Sequence, residues 1–162
     1  MQPGKLSKDT EGTLWVTGQI ILLAAIVFVP SQIGSLPTVP DSLNTISLIL
    51  GLLIGAAGLA IVGLSALYLG TNLSIFPKPK DDGTLTQTGL YGLMRHPMYG
   101  GVLLSALGWS LVRASLPALV LTLTLTVFFD RKAKREEEWL MQKYPDYAQY
   151  RERVRKLIPW IY

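Results

Sequence analysis

Hydrophobic positions in this chain fall into four long blocks separated by polar segments. The first, Leu14 to Val29 (LWVTGQIILLAAIVFV), carries no charge and is roughly 24 Å long as a helix, slightly under a bilayer core unless its flanks contribute. A cleaved signal peptide is the rival reading, since Lys5 and Lys8 precede the run; the following residues, PSQIGS, lack a small-x-small cleavage site, which favours a retained span. After a loop with Pro30, Pro37 and Pro40, the second block, Ile46 to Gly70, is uncharged throughout and predicts a transmembrane helix. Its Gly51 and Gly55 form a G-x-x-x-G pair that permits close approach of another helix, although glycine is common in membrane helices for other reasons too.

The third and fourth blocks, Tyr99 to Val112 and Ala114 to Phe129, are separated only by Arg113, with Pro117 just beyond. Each is short for an independent span. A tight helical hairpin with Arg113 snorkelling at the far interface is expected, because burying that arginine mid-helix would cost at least ~2.5 kcal/mol.

Between the second and third blocks lies a polar stretch, Asn72 to His96, punctuated by Pro77, Pro79, Gly83, Gly89 and Gly92; it cannot be helical throughout and is too long for a mere connector. Asn72-Leu73-Ser74 matches a glycosylation sequon and is read as chance. From Asp130 the chain turns charged and amphipathic. Trp139, Leu140 and Tyr144 keep helical spacing up to Pro145, and Tyr147, Tyr150, Val154 and Leu157 continue it among basic residues, a pattern suited to anionic headgroups.

The expected fold class is therefore all-α: a polytopic integral membrane protein of about four transmembrane helices, the last two a hairpin, followed by cytoplasmic amphipathic helices. The chain of 162 residues reads as one domain, with residues 1–70 as N-terminal spans and 71–162 as the core that carries chemistry. Composition agrees, with 49% hydrophobic and only 16% charged residues. The net charge of +4 would admit nucleic acid, but of the 15 basic residues all except Arg113 fall on one side of a four-span topology. The positive-inside rule then makes that side, with both termini, cytoplasmic, and membrane lipids rather than nucleic acid explain the basic stripe. The absence of cysteine excludes disulfides, thiolate metal sites and cysteine nucleophiles, and a single histidine excludes a multi-histidine metal centre. No strand-bound G-x-G-x-x-G is present, so a soluble dinucleotide-type fold is excluded.

Two polar segments must meet at the cytoplasmic end of the hairpin. One is Gly89 to Tyr99, with Arg95 and His96; the other is Asp130 to Glu138. Each has a bland reading: interfacial anchors for Arg95, His96, Tyr91 and Tyr99, and a solvated face with Lys132–Glu136 and Lys134–Glu138 pairs for the charged run. Together they form a headgroup-level cleft where a polar cofactor could meet a lipid-soluble substrate.

The order Gly83-Thr-Leu-Thr-Gln-Thr-Gly-Leu-Tyr91, Arg95-His-Pro-Met-Tyr99, Glu136-Glu137 with Leu140, Tyr147-x-x-Tyr150-x-x-x-Val154 and Ile158-Pro159, with a hairpin between motifs, resembles the isoprenylcysteine carboxyl methyltransferase and phospholipid methyltransferase superfamily of membrane enzymes. The resemblance covers about Pro77 to Pro159; the first two blocks carry no such signature. It implies an S-adenosylmethionine-dependent methyltransferase, releasing S-adenosylhomocysteine, that acts on a lipidic or prenylated acceptor and uses no metal. Thr84, Leu85, Thr86 and Tyr91 would line the nucleoside end of the cofactor site, His96, Pro97, Met98 and Tyr99 would hold the cofactor, and Glu136 and Glu137 would bind it from the opposite side. The catalytic candidates are Lys132, Arg131 and Arg95. In the carboxyl methyltransferase branch an arginine stands four residues before the first glutamate; here Lys132 does, a point charge rather than a fork, which leaves amine acceptors open beside carboxylates. A non-catalytic lipid-binding scaffold, or an NADPH-dependent membrane reductase with a related core, are the competing readings.

Overall fold

The computed structural model describes residues 8–34, 40–77, 79–80 and 82–162. Lys5, Pro37 and Lys78 lie outside them. The described chain is all-helical, as expected: α1 (Lys8–Phe28), α2 (Asp41–Leu69), α3 (Pro97–Val112), α4 (Leu116–Lys143) and α5 (Tyr147–Arg153), with 3-10 turns at Gly70–Asn72 and Gly89–Gly92 and no strand among the described residues. Two helical stretches, Thr10–Phe28 and Ser42–Asn72, are long and apolar enough to cross a membrane, and only 11% of the apolar window of each is buried inside the protein. Their outward faces, carrying Ile20, Phe28, Leu53 and Leu67, are exposed. Helix α3 has 16 residues, roughly 24 Å, and is short of a full bilayer core.

The hairpin forms where the chain reads Arg113-Ala-Ser. Arg113 caps α3, Ala114 takes a left-handed φ of 46°, and the Ser115 hydroxyl accepts from the Ala118 N–H at 3.2 Å to cap α4, with Pro117 in its first turn. Arg113 sits at the far end of the bundle as expected, and it also has partners there: its guanidinium donates to the Val27 carbonyl at 2.9 Å and the Ser31 hydroxyl at 3.1 Å, tying the end of α1 to the hairpin.

Helices α2 and α3 approach backbone to backbone. A Cβ on Gly51 would lie 2.6 Å from the Val112 nitrogen, one on Gly58 2.5 Å from the Ser105 nitrogen, and one on Gly108 2.4 Å from the Gly55 nitrogen. The glycines of α2 are therefore a packing surface rather than a compositional accident, except Gly63, which faces open space. Hydrogen bonds reinforce the bundle: Ser47 donates to the Leu111 carbonyl at 2.7 Å, and the buried Ser110 and Thr122 hydroxyls meet at 3.1 Å between α3 and α4. Ile26, Ala106, Leu125 and Phe129 form the apolar core where α1, α3 and α4 converge.

Two expectations about the tail change. Helix α4 does not break at the end of its apolar half but runs on through the charged segment to Lys143. Helix α5, by contrast, stops at Arg153 instead of continuing to Leu157, because the chain turns extended at Val154 and its backbone is needed elsewhere. Its aromatic stripe also faces inward: Tyr147 and Tyr150 are 1% and 2% exposed, so they pack on the protein and not on lipid.

Candidate active site

The end of the hairpin opposite Arg113 is organised by the Arg95-His-Pro sequence. Pro97 starts α3, so the N–H groups of Arg95 and His96 fall outside the helix and need other partners. The extended tail supplies them: Arg95 N–H donates to the Arg155 carbonyl at 2.8 Å and His96 N–H to the Lys156 carbonyl at 3.0 Å, beside a single bridge between Met94 and Arg155. Just upstream, Gly89 has a φ of 60°, and a Cβ there would meet the Tyr68 ring at 2.2 Å. Only glycine fits this entry to the turn that buries Tyr91.

Five side chains from α3, α4 and the preceding loop then interlock. The Tyr99 hydroxyl donates to Glu136 Oε2 at 2.7 Å. His96 stacks on Tyr99 with ring planes 4° apart and centroids at 5.3 Å, its Nε2 lies 3.1 Å from Glu137 Oε1, and its Nδ1 is 3.7 Å from Glu136. Arg95 Nε donates to the same Glu137 oxygen at 2.8 Å, and its Nη1 donates to the carbonyls of Arg151 and Val154. Burial alone would raise the Glu137 carboxyl; the hydrogen bonds and charges of His96 and Arg95 outweigh it and hold it down to about 2. Burial, with Glu136 nearby, pushes the Tyr91 phenol well up, and burial with Glu137 does the same to Tyr147, so both remain neutral hydrogen-bonding rings.

A cleft of about 110 Å³ opens in front of this cluster. Thr84, Leu85, Thr86, Tyr91, Arg95, His96 and Glu136, all expected site residues, line it together. Asn72, Leu140, Tyr144, Tyr147 and Tyr150 also line it; of these, Leu140, Tyr147 and Tyr150 belong to the sequence motifs, which carry no assigned role for them at the site. Asn72 is the least expected. Its amide accepts from the Thr84 N–H at 3.0 Å and donates to the Thr84 and Thr86 hydroxyls at 3.2 and 3.3 Å, fixing the loop that forms one wall. Tyr144 O–H donates to the Gly83 carbonyl at 2.7 Å and Tyr150 O–H to the Tyr91 carbonyl at 2.6 Å, so α4 and α5 hold the other side of the loop. The signal that could have revealed Asn72 was its place as the first residue of the polar stretch, just past the second apolar block.

The remaining candidates lie elsewhere. Pro97 and Met98 form the first turn of α3, Tyr99 stands behind Glu136, and Glu137 points to the side of Arg151, 3.6 Å from its Nε. Arg131 is exposed. Lys132 is 1% exposed and, rather than forming a solvated pair with Glu136, donates to Gln19 Oε1 of α1 at 2.5 Å with its ammonium 5.3 Å from the Tyr99 ring. Burial pushes that ammonium down, against the pull of Glu136. Beside it, Arg135 bridges Glu11 of α1, at 2.6 and 2.8 Å, and Glu138. The N-terminal helix is thus bonded to the charged half of α4, which no feature of its own sequence announced.

Residues 46–147 match the profile of the phospholipid methyltransferase family. The chain belongs to that family. The matched stretch contains most of α2, the cleft loop, the hairpin and both glutamates. Among curated relatives in this wider group, the protein-S-isoprenylcysteine O-methyltransferase of Schizosaccharomyces pombe is 35% identical over 86 residues, 52% of this chain and 36% of that protein. The probable protein-S-isoprenylcysteine O-methyltransferase of Oryza sativa subsp. indica is 34% identical over 84 residues, 51% of this chain and 44% of that protein. The chain thus spans less than half the length of these relatives. Among solved structures, the eukaryotic intramembrane Ras methyltransferase ICMT (isoprenylcysteine carboxyl methyltransferase) aligns over 96% of this chain and 55% of its own with a TM-score of 0.66 at 22% identity, a likeness of fold.

Proposed function

We propose that this protein is an S-adenosylmethionine-dependent methyltransferase that modifies a lipidic or prenylated acceptor at the cytoplasmic face of a membrane, with α1 to α4 as its membrane helices. The observation that carries this reading is the gathering of Thr84, Thr86, Tyr91, His96 and Glu136 around one cleft at the end of the hairpin. Family membership and the names of the relatives support it.

The cleft chemistry fits an amino-acid nucleoside. Glu136 provides a carboxylate for an ammonium or ribose hydroxyls, the threonine hydroxyls suit a polar nucleoside edge, and Tyr91, Tyr147 and Tyr150 offer ring faces to an adenine or a cation. At about 110 Å³ the cleft is smaller than the roughly 300–1,000 Å³ of typical small-molecule sites, so it must widen to take the cofactor. When bound, S-adenosylmethionine supplies an electrophilic methyl group on a sulfonium. The protein needs no nucleophile of its own for such a direct transfer, consistent with a chain that has no cysteine. Its residues align the partners and exclude water: Tyr99, stacked on His96, fixes the Glu136 carboxylate, and the aromatic rings of α5 seal the cleft. On the far side of Tyr99 the buried Lys132 ammonium, held by Gln19, is the group this reading assigns to the polar end of an acceptor that enters between the apolar helices.

Titrating the purified full chain in detergent with S-adenosylmethionine and S-adenosylhomocysteine tests the proposal. Saturable binding is expected, lost in His96→Ala and Glu136→Ala while helicity is retained. Incubation of membranes with labelled methyl donor, followed by lipid extraction, then separates a prenylcysteine carboxylate from a phospholipid amine as acceptor. Binding of NADPH instead, or of neither ligand in several lipids, would sink it.

A further inference from the structure

A second cavity, of about 290 Å³, shares Arg95 with the cleft but opens toward the C-terminal tail. Arg95, Lys134, Arg151, Arg155 and Lys156 line it, with Glu137 as its one acidic side chain. Local pairing accounts for only part of this charge. Glu137 is engaged by Arg95 at 2.8 Å, and Lys156 is paired with Asp130. Arg151 reaches Glu137 only at 3.6 Å and is half exposed, while Lys134 and Arg155 are exposed. Three cations thus converge on a concave surface whose single acidic side chain is already committed. Such a surface focuses positive potential, and the two guanidiniums present forks that match phosphate oxygens.

Beside this cavity the chain displays large apolar side chains to the outside. Ile158, Trp160 and Ile161 are 50%, 82% and 76% exposed. They are carried on a closed turn in which the Tyr162 carbonyl accepts from the N–H groups of Leu157 and Ile158, each at 2.7 Å, and Trp160 has a left-handed φ of 62°. A tight turn that splays tryptophan and isoleucine outward next to a cationic cavity matches a membrane interface, with the rings at headgroup depth and the cations at the phosphates.

We propose that this cavity binds the phosphate of an anionic lipid headgroup, at a site separate from the methyl-transfer cleft, with Ile158, Trp160 and Ile161 dipping into the same leaflet. The site stands on its own charges and does not depend on the chemistry of the cleft. A free phosphate ion shares the recognition chemistry but not the need for the apolar turn.

Native mass spectrometry of the full chain from mixed micelles of phosphatidylglycerol and phosphatidylcholine provides the test. Preferential retention of phosphatidylglycerol by about tenfold or more is expected, falling to parity in Lys134→Glu/Arg155→Glu and persisting in Lys134→Arg/Arg155→Lys. Displacement of the retained lipid by excess inorganic phosphate would support the phosphate assignment. Equal retention of the two lipids by the unaltered chain, or a preference that survives charge reversal, would overturn the site. Inorganic phosphate binding without any lipid preference would overturn the lipid assignment. The comparison of the two lipids on the unaltered chain decides the matter even if the charge-reversed variant does not fold.

Discussion

One oxygen of Glu137, Oε1, lies 3.1 Å from His96 Nε2 and 2.8 Å from Arg95 Nε. A buried carboxylate from α4 therefore holds two consecutive side chains that lead into α3, and it does so from behind the cleft rather than within it. Adjacent glutamates divide the work, since Glu136 lines the cleft and Glu137 fastens the residues beside it.

Because its carboxyl is held at about 2 against an ordinary 4.5, Glu137 stabilises the fold. That contribution, on the order of 3 kcal/mol, is complete above about pH 4.5 and is lost as pH falls toward 2. Glu137→Gln keeps the shape but leaves Arg95 and its neighbour Arg151 without a countercharge. Thermal unfolding in detergent should show a lower Tm for the variant at pH 7 and a smaller loss between pH 5 and 3. An unchanged acid limb would rule out Glu137 as the group responsible.

The Tyr99 hydroxyl donates to Glu136 Oε2 at 2.7 Å. Tyr99→Phe retains the stack on His96 and on Phe129, whose centroid is 4.7 Å away, and removes only that bond. Hydrogen bonds to charged groups contribute about 1.5–3 kcal/mol, so cofactor affinity should fall roughly ten- to a hundredfold, less than for Glu136→Ala. Isothermal titration with S-adenosylhomocysteine measures both; equal effects would mean that Tyr99 acts through packing instead.

Much of this arrangement was readable in the chain, for physical reasons that differ by element. The apolar blocks outlined α1 to α4, and Arg113 with Pro117 marked the hairpin turn, because neither a mid-span arginine nor a continuing proline suits a membrane helix. The hairpin in turn forced His96 and Glu136 to one end. What stayed hidden were contacts between elements remote in sequence. Asn72 bonds Thr84 and Thr86, Gln19 bonds Lys132, and Glu11 bonds Arg135, and nothing local distinguishes these residues from solvated ones. The premature end of α5 was hidden too: periodicity carried through Leu157, but the unpaired N–H groups before Pro97 recruit the backbone at Arg155 and Lys156. Local pattern lost to a distant hydrogen-bonding need.

The glycine contact between α2 and α3 permits a sharp comparison within one helix. At Gly58 an added Cβ meets the Ser105 nitrogen at 2.5 Å and the Gly101 carbonyl at 2.6 Å, both backbone atoms that cannot turn aside, whereas at Gly63 it meets nothing within 4 Å. Gly58→Ala should therefore destabilise the protein by about 1–3 kcal/mol, the usual cost of overpacking. Gly63→Ala should be neutral or slightly stabilising, since alanine is the better helix former. Thermal unfolding of both in the same detergent checks this, and an equal response would mean that the helices separate freely.

Lys132 offers a test of which side the acceptor uses. Its buried ammonium is fixed by Gln19 Oε1 and lies against the Tyr99 ring, and it is not among the residues that line the cleft. If the cleft holds the methyl donor and Lys132 meets the acceptor, the two functions should separate kinetically. Gln19→Leu removes the lysine's partner without touching the cleft, and Lys132→Met removes the charge at similar volume. Both should leave S-adenosylhomocysteine affinity within about threefold, because their contacts lie outside the donor site, while raising KM for the lipid acceptor about tenfold or more, as expected when a charge-assisted contact is lost. Lys132→Arg should recover acceptor binding if the acceptor end is a carboxylate, since the guanidinium offers it a fork. A parallel loss of donor affinity in Lys132→Met would instead place this residue among those that bind the donor.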